Sequence, residues 1–184
     1  MSIISQLNYT DISPDSYLIT NELDRTNSSY TYGEVNHKQI ASELTQILNE
    51  NNVHFLDIGS GCGKIVIAIG SCFPNLYCTG IEIHNERYNN SIKLLEKYPE
   101  LYSNSEFYKI DFNQIYFGIY DVIYCCNIIF SKEDNKKLYK KLLTEFNGYV
   151  ILFDYDYCMK SYLKKTSYVD TSWQKNAKIF IFEI

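Results

Sequence analysis

The chain has 184 residues, a formal net charge of −5 and 46% hydrophobic residues, which fits one domain that buries its own core and leaves no need for disulfide staples. No apolar run approaches the ~18 residues of a membrane span, and no signal peptide is evident, so a membrane partner is not expected. Six scattered cysteines form no C-x-x-C pair and have no ligand-like histidine beside them; the pattern predicts reduced thiols in an intracellular protein and no metal site.

Residues 1–29 are rich in Asn, Ser, Thr and Asp with scattered apolar anchors, and are expected to form a segment that packs over the core. The domain proper is placed at 30–184. Tyr32-Gly33-Glu34-Val35 precedes a helix with Ile40, Leu44, Ile47 and Leu48 on one face, and Asn49 to Asn52 stop it. Val53 to Ile58 then reads as a strand. It runs into Asp57-Ile58-Gly59-Ser60-Gly61-Cys62-Gly63-Lys64, a three-glycine turn opening a buried helix that begins near Lys64.

Glycine at every second position lets a ligand approach the backbone, and the helix start beyond it supplies unpaired N–H groups for a carboxylate or phosphate. The spacing is G-x-G-x-G rather than the G-x-G-x-x-G of dinucleotide sites. With Asp57 two residues ahead, it favours S-adenosyl-L-methionine, whose carboxylate sits on the turn while Asp57 accepts from its ammonium. A turn that merely packs strand on helix is the alternative.

Further strands follow at Tyr77 to Ile83, Glu106 to Ile110, Tyr120 to Cys126 and Gly148 to Phe153. A helix capped by Asn85, with Tyr88, Ile92 and Leu95 inward, and a lysine-rich helix capped by Ser131 lie between them. Tyr168 to Trp173 and Ala177 to Ile184 read as a closing antiparallel hairpin. Strands alternating with helices imply an α/β fold, a mostly parallel Rossmann-like sheet flanked by helices, as in class I methyltransferases.

In such sheets the ligand lies outside the carboxyl ends of the strands. Asp57, Glu82, Asp111 and Asn127 are each the polar residue at such an end. Glu82 suits both ribose hydroxyls, or is a surface charge near a helix start. Asp111 suits the adenine amino group, and Phe112 offers a ring face to the base or is ordinary core. Asn127, three residues before Phe130, suits an incoming amine or the methionine moiety, or simply forms a turn.

Taken in order, Tyr32-Gly33-Glu34, the Asp57 to Lys64 turn, Gly80-Ile81-Glu82, Asp111-Phe112 and Asn127-Ile128-Ile129-Phe130 resemble the Dot1 family of lysine methyltransferases, and Ser172-Trp173 resembles its closing hairpin. The resemblance implies methyl transfer from S-adenosyl-L-methionine to a lysine of a protein substrate, a histone among the options. Tyr32, Gly33, Glu34 and Val35 would form a loop over the cofactor. Asp57, Gly59, Ser60, Gly61, Gly63, Lys64, Glu82, Asp111 and Phe112 would hold it. Asn127, Phe130 and Phe180 would form the catalytic end, with Trp173 as a further wall. Cys126 stands where the family commonly has a second asparagine, and Phe180 where it has a tyrosine.

Other readings stay open. A class I methyltransferase of small molecules, or an inactive cofactor-binding partner subunit, shares most of these features, whereas the absence of Asn-Pro-Pro-Tyr counts against DNA adenine methylation. Up to Ser131 the chain carries 7 Lys/Arg against 15 Asp/Glu, and from Lys132 onward 10 against 7. That basic third either faces a nucleic acid or acidic partner or solvates a helix; no basic extension marks a nucleic-acid arm. The 18 tyrosines and many Asn, Ile and Lys fit an AT-rich coding genome, viral or protist, and a cytoplasmic or nuclear protein.

Overall fold

The computed structural model describes residues 33–49 and 54–184, so the expected 1–29 segment, Tyr32 and Val53 lie outside the described residues. Helix α1, His37–Ile47, begins at Asn36, whose side chain accepts from the N–H groups of Lys38 and Gln39. It buries Ile40, Ala41 and Leu44, the same face that the apolar spacing predicts. Strand β1, His54–Ile58, leads through the glycine turn into α2, Lys64–Cys72, whose residues Lys64 to Gly70 are all buried.

Strand β2, Tyr77–Glu82, helix α3, Asn85–Glu96, and strand β3, Ser105–Lys109, complete one half. The cap of α3 is His84 rather than Asn85, which is its first residue, and the buried face is Arg87, Ser91, Leu94 and Leu95. Of the face expected through Tyr88, Ile92 and Leu95, Leu95 is buried, and Tyr88 and Ile92 are half-buried and pack against the same core. Strand β4, Val122–Cys125, helix α4, Lys132–Glu145, and strand β5, Tyr149–Leu152, form the second half. Ser131 caps α4 as expected, accepting from Asp134 N–H at 3.0 Å.

The sheet order is β3-β2-β1-β4-β5-β7-β6. The first five strands are parallel, and β7, Ala177–Glu183, runs antiparallel to both β5 and β6, Leu163–Val169. The closing hairpin therefore exists, but its first strand lies earlier than Tyr168 to Trp173. Edge exposure and a register shift between Leu163 and Lys165 break the alternation that would have marked it. Residues 170–176 instead form a loop.

The strand order reverses beside β1, which puts the ends of β1, β2 and β4 around one crevice. Side chains alternate across the sheet. Phe55, Val122 and Tyr124 pack with α1 and α2 on one face, and Leu56, Ile58, Ile123 and Cys125 pack with α4 on the other. No described helix is long and apolar enough to cross a membrane.

Candidate functional site

The glycine turn is tied down by its own backbone. Gly59 and Ser60 N–H both donate to Ile81 O at 2.9 Å, laying the turn across the end of β2. Gly61 N–H donates to Glu82 Oε2 at 2.9 Å, and His84 N–H donates to Glu82 Oε1 at 2.8 Å. Gly63 enters α2 at φ 84°, and a Cβ there would come within 2.5 Å of the Phe107 ring. Only glycine fits. Glu82 thus holds the turn while keeping lone pairs for a ligand, since a carboxylate offers about four acceptor sites.

Beside the turn lie two chambers that share Gly59, Glu82, Arg87, Cys126 and Ile129. The smaller, about 150 Å³, is walled by Ile81, Ile83, Ile110, Asp111, Phe112 and Phe130. The Phe112 and Phe130 rings lie nearly parallel, 16° apart with centroids 5.9 Å apart. Asp111 Oδ1 accepts from both the backbone and the side-chain amide of Asn113 at 2.8 Å, so one carboxylate oxygen caps the turn that begins at Phe112. An apolar slot with a carboxylate at its rim suits a purine base.

The larger chamber, about 320 Å³, is lined by Gly33, Glu34, Val35, Asp57, the glycine turn, Lys64, Tyr124, Ile128, Ser172 and Trp173 among others. Lys64 Nζ lies 3.0 and 3.1 Å from the two carboxylate oxygens of Glu34, and both residues are buried. The Glu34 segment is itself strapped to the loop after β6. Glu34 N–H donates to Ser172 Oγ at 3.0 Å, Ser172 N–H to Glu34 O at 2.8 Å, and Asn36 N–H to Asp170 O at 2.8 Å. Gly33 lies so close beneath Trp173 that a Cβ would fall 2.4 Å from the indole.

Electrostatics single out the floor of this chamber. Asp57 is 2% exposed, and burial, with Glu82 adding to it, holds its carboxyl well above the ordinary carboxylate range. A cation beside it would reverse that shift. The Cys126 thiol is pushed up to about 12 by burial and then by Asp57, so it is a small protonated hydrophobe rather than a nucleophile. Ser60 Oγ and Tyr124 Oη are buried with no hydrogen-bond partner among the described residues. Buried hydroxyls without partners are costly, which marks this floor as shaped for a polar ligand.

Every cofactor residue expected from the sequence within the described part reaches this region. Gly33, Glu34, Val35, Asp57, Gly59, Ser60, Gly61, Lys64, Glu82, Asp111 and Phe112 line one chamber or the other, and Gly63 shapes the turn. The three residues expected at the catalytic end do not line the larger chamber. Phe130 stands in the smaller one. Phe180 pairs with Leu152 in the sheet and packs on Tyr155, with centroids 4.7 Å apart.

Asn127 is fully buried. Its Oδ1 accepts from Phe153 and Asp154 N–H, both at 3.0 Å, and its Nδ2 donates toward Asn135 Oδ1, Tyr139 OH and Asp154 O at 2.7, 3.0 and 3.0 Å. Those bonds join the ends of β4 and β5 to α4.

Sequence reasoning passed over Arg87 and Tyr124. Arg87 lines both chambers from the buried face of α3, and its i, i+4, i+7, i+8 alignment with Ser91, Leu94 and Leu95 was the available signal. Tyr124 is the β4 partner of Asp57 in the parallel register. Strand parity alone therefore puts both side chains on the same face.

Residues 12–170 match the family model described as histone methylation protein DOT1. The chain belongs to the DOT1 histone methylation protein family. No curated protein matches it by sequence. Among solved structures, this DOT1-family chain resembles an RNA methyltransferase from Salinibacter ruber in complex with S-adenosyl-L-homocysteine, with TM-score 0.63 and 20% identity over 80% of this chain and 91% of that one. It also resembles the magnesium protoporphyrin IX methyltransferase of Synechocystis PCC 6803 with bound SAM, with TM-score 0.64 and 16% identity over 96% and 98%. The plantazolicin methyltransferase BpumL in complex with SAH aligns at TM-score 0.51 and 21% identity, over 76% of this chain and 53% of that one.

Those likenesses carry the class I methyltransferase fold. Together with the family they make this DOT1-family protein an S-adenosyl-L-methionine-dependent methyltransferase. The cleft fits that cofactor. It offers an apolar slot for a base, a strand-end carboxylate for a ribose, and a floor with one buried carboxyl and two buried hydroxyls for an amino-acid end.

Proposed function

We propose that this DOT1-family protein methylates a lysine side chain of a protein. The observation that carries the reading is the larger chamber's mouth, where Ile128 and Trp173 are 47% and 44% exposed, above a buried floor of Asp57 and Tyr124. Large apolar side chains left open to solvent at a cleft rim favour a partner with an aliphatic stem. A lysine has such a stem, with its reactive nitrogen at the tip.

S-adenosyl-L-methionine supplies a methyl group on a positively charged sulfur; the amine lone pair forms the N–C bond while the C–S pair returns to sulfur. The residues must then provide a neutral amine. At a free pKa near 10.4 only roughly one amine in a few thousand is uncharged at pH 7. Apolar walls such as Val35, Ile65 and Ile129 disfavour the ammonium and lower that pKa, so the proton leaves to water before the nitrogen is enclosed. The Lys64–Glu34 pair brings no net charge to the wall. Orientation between Trp173 and Ile128 supplies the remaining effect.

The test is transfer of labelled methyl from S-adenosyl-L-methionine into core histones, nucleosomes and a lysate of the source, read by lysine-site mass spectrometry. Label on a protein lysine is the expected result. Label only on a small molecule or an RNA, or cofactor binding with no protein labelled, would overturn the lysine assignment.

A further inference from the structure

Among the described residues, none hydrogen-bonds the Tyr124 hydroxyl. Tyr124 is 2% exposed, lines the larger chamber, and its Oη is buried without a hydrogen-bond partner. The ring is held edge-on by Phe153, at 6.3 Å and 84°, and Phe153 in turn contacts Trp173 at 6.3 Å. A phenol fixed in this way has its oxygen placed before any ligand arrives. That preorganisation lowers the entropy cost of a contact.

Its neighbour narrows the choice of ligand group. Asp57 and Tyr124 are register partners on adjacent parallel strands, with side chains on one face, roughly 4.8 Å apart along the hydrogen-bonding direction. No protein hydrogen bond to the Asp57 carboxyl is formed by the described residues, and Ser60 Oγ is buried nearby in the same chamber, also without a partner. The Asp57 carboxyl and these two hydroxyl-bearing residues line one chamber, a set that suits a group with several N–H donors. An alkylammonium has three.

We propose that Tyr124 Oη accepts a hydrogen bond from the α-ammonium of the cofactor's methionine end, alongside Asp57, and so makes this chain selective for ligands that keep that amino-acid end. The assignment rests on the cofactor occupying this cleft and is independent of what accepts the methyl. Burial pushes the Tyr124 phenol well above its ordinary value, with Cys126 and Asp57 adding to the effect, so it remains protonated and holds no competing charge. Accepting from the ammonium gives a lone pair of its oxygen a partner and relieves a desolvation cost that the ligand-free protein carries.

The test is calorimetric titration of wild type and Tyr124→Phe with two probes: S-adenosylhomocysteine, which has the amino-acid end, and 5′-methylthioadenosine, which lacks it. Thermal melting of the ligand-free proteins is measured alongside. Tyr124→Phe should bind S-adenosylhomocysteine about tenfold more weakly and 5′-methylthioadenosine within about twofold of wild type. Its ligand-free Tm should be equal or higher, because a buried hydroxyl without a partner has been removed. Unchanged affinity for S-adenosylhomocysteine, or equal weakening for both probes, would overturn the proposal. A lower Tm with both affinities reduced would assign the hydroxyl to the fold instead. None of these readouts involves a methyl acceptor, so the lysine reading stands or falls separately.

Discussion

Replacing Glu82 by alanine tests two roles together, the structural latch and the ribose contact expected of its carboxylate. In the ligand-free protein the carboxylate accepts from Gly61 and His84 N–H at 2.9 and 2.8 Å, and the residue is 5% exposed. Each such bond to a charged acceptor is worth about 1.5–3 kcal/mol net. Water entering from the cleft restores part of that, so the expected loss is about 3 kcal/mol. For a chain of this size that lowers Tm by about 6–12 °C. A lost bidentate contact to a ribose should weaken S-adenosylhomocysteine binding about 100-fold as well. Glu82→Gln keeps one acceptor oxygen and sets an amide N–H₂ against one of the two backbone donors, so it should fall between. Melting and calorimetry on the same samples separate the two roles. A folded Glu82→Ala protein with wild-type affinity would refute the ribose assignment, and one with wild-type Tm would refute the latch.

Asn127→Ala should cost about 3–5 kcal/mol of stability in denaturant unfolding, since it strands the Phe153 and Asp154 amides and takes a donor from Asn135 Oδ1 and Tyr139 OH. A variant of unchanged stability that had lost methyl transfer would return Asn127 to the catalytic end. Asp57→Asn should weaken S-adenosylhomocysteine about tenfold or more, as the ammonium loses its charged partner. The carboxyl's pKa is raised in the folded state, so Asp57 favours folding below the unfolded value of about 4, and that contribution is lost as pH rises through the folded pKa. The non-titrating asparagine lacks that loss. The Tm of ligand-free Asp57→Asn should therefore gain on wild type as pH rises above about 4, and a gap that stays constant to pH 9 would refute the assigned shift.

The half of the cleft around the glycine turn was legible in the chain itself, because it is built from backbone shape and strand ends. Gly63 must be glycine at φ 84° against Phe107, and Asp57 next to the end of β1, Glu82 closing β2 and Asp111 two residues after β3 are polar where the residue before each is apolar. Local rules of turn chemistry and strand parity suffice there, since each acts within a few residues. Parity also put Tyr124 beside Asp57, although nothing in the sequence says that its hydroxyl lacks a partner. That is a property of what surrounds it.

The half of the cleft beneath Trp173 was decided by contacts that span the chain. Glu34 meets Ser172 across 138 residues, Gly33 meets Trp173, and the loop that brings them together follows an edge strand whose register shift hides its period. Asn127 and Phe180 have the residue types of a polar guide and an aromatic wall. Asn127 satisfies both ends of its amide within the fold, and Phe180 sits in the sheet against Tyr155. Residue type can propose a hydrogen bond or a wall. Which partner takes it depends on every other group competing for the same space, and that competition is resolved only when the strands and helices have packed.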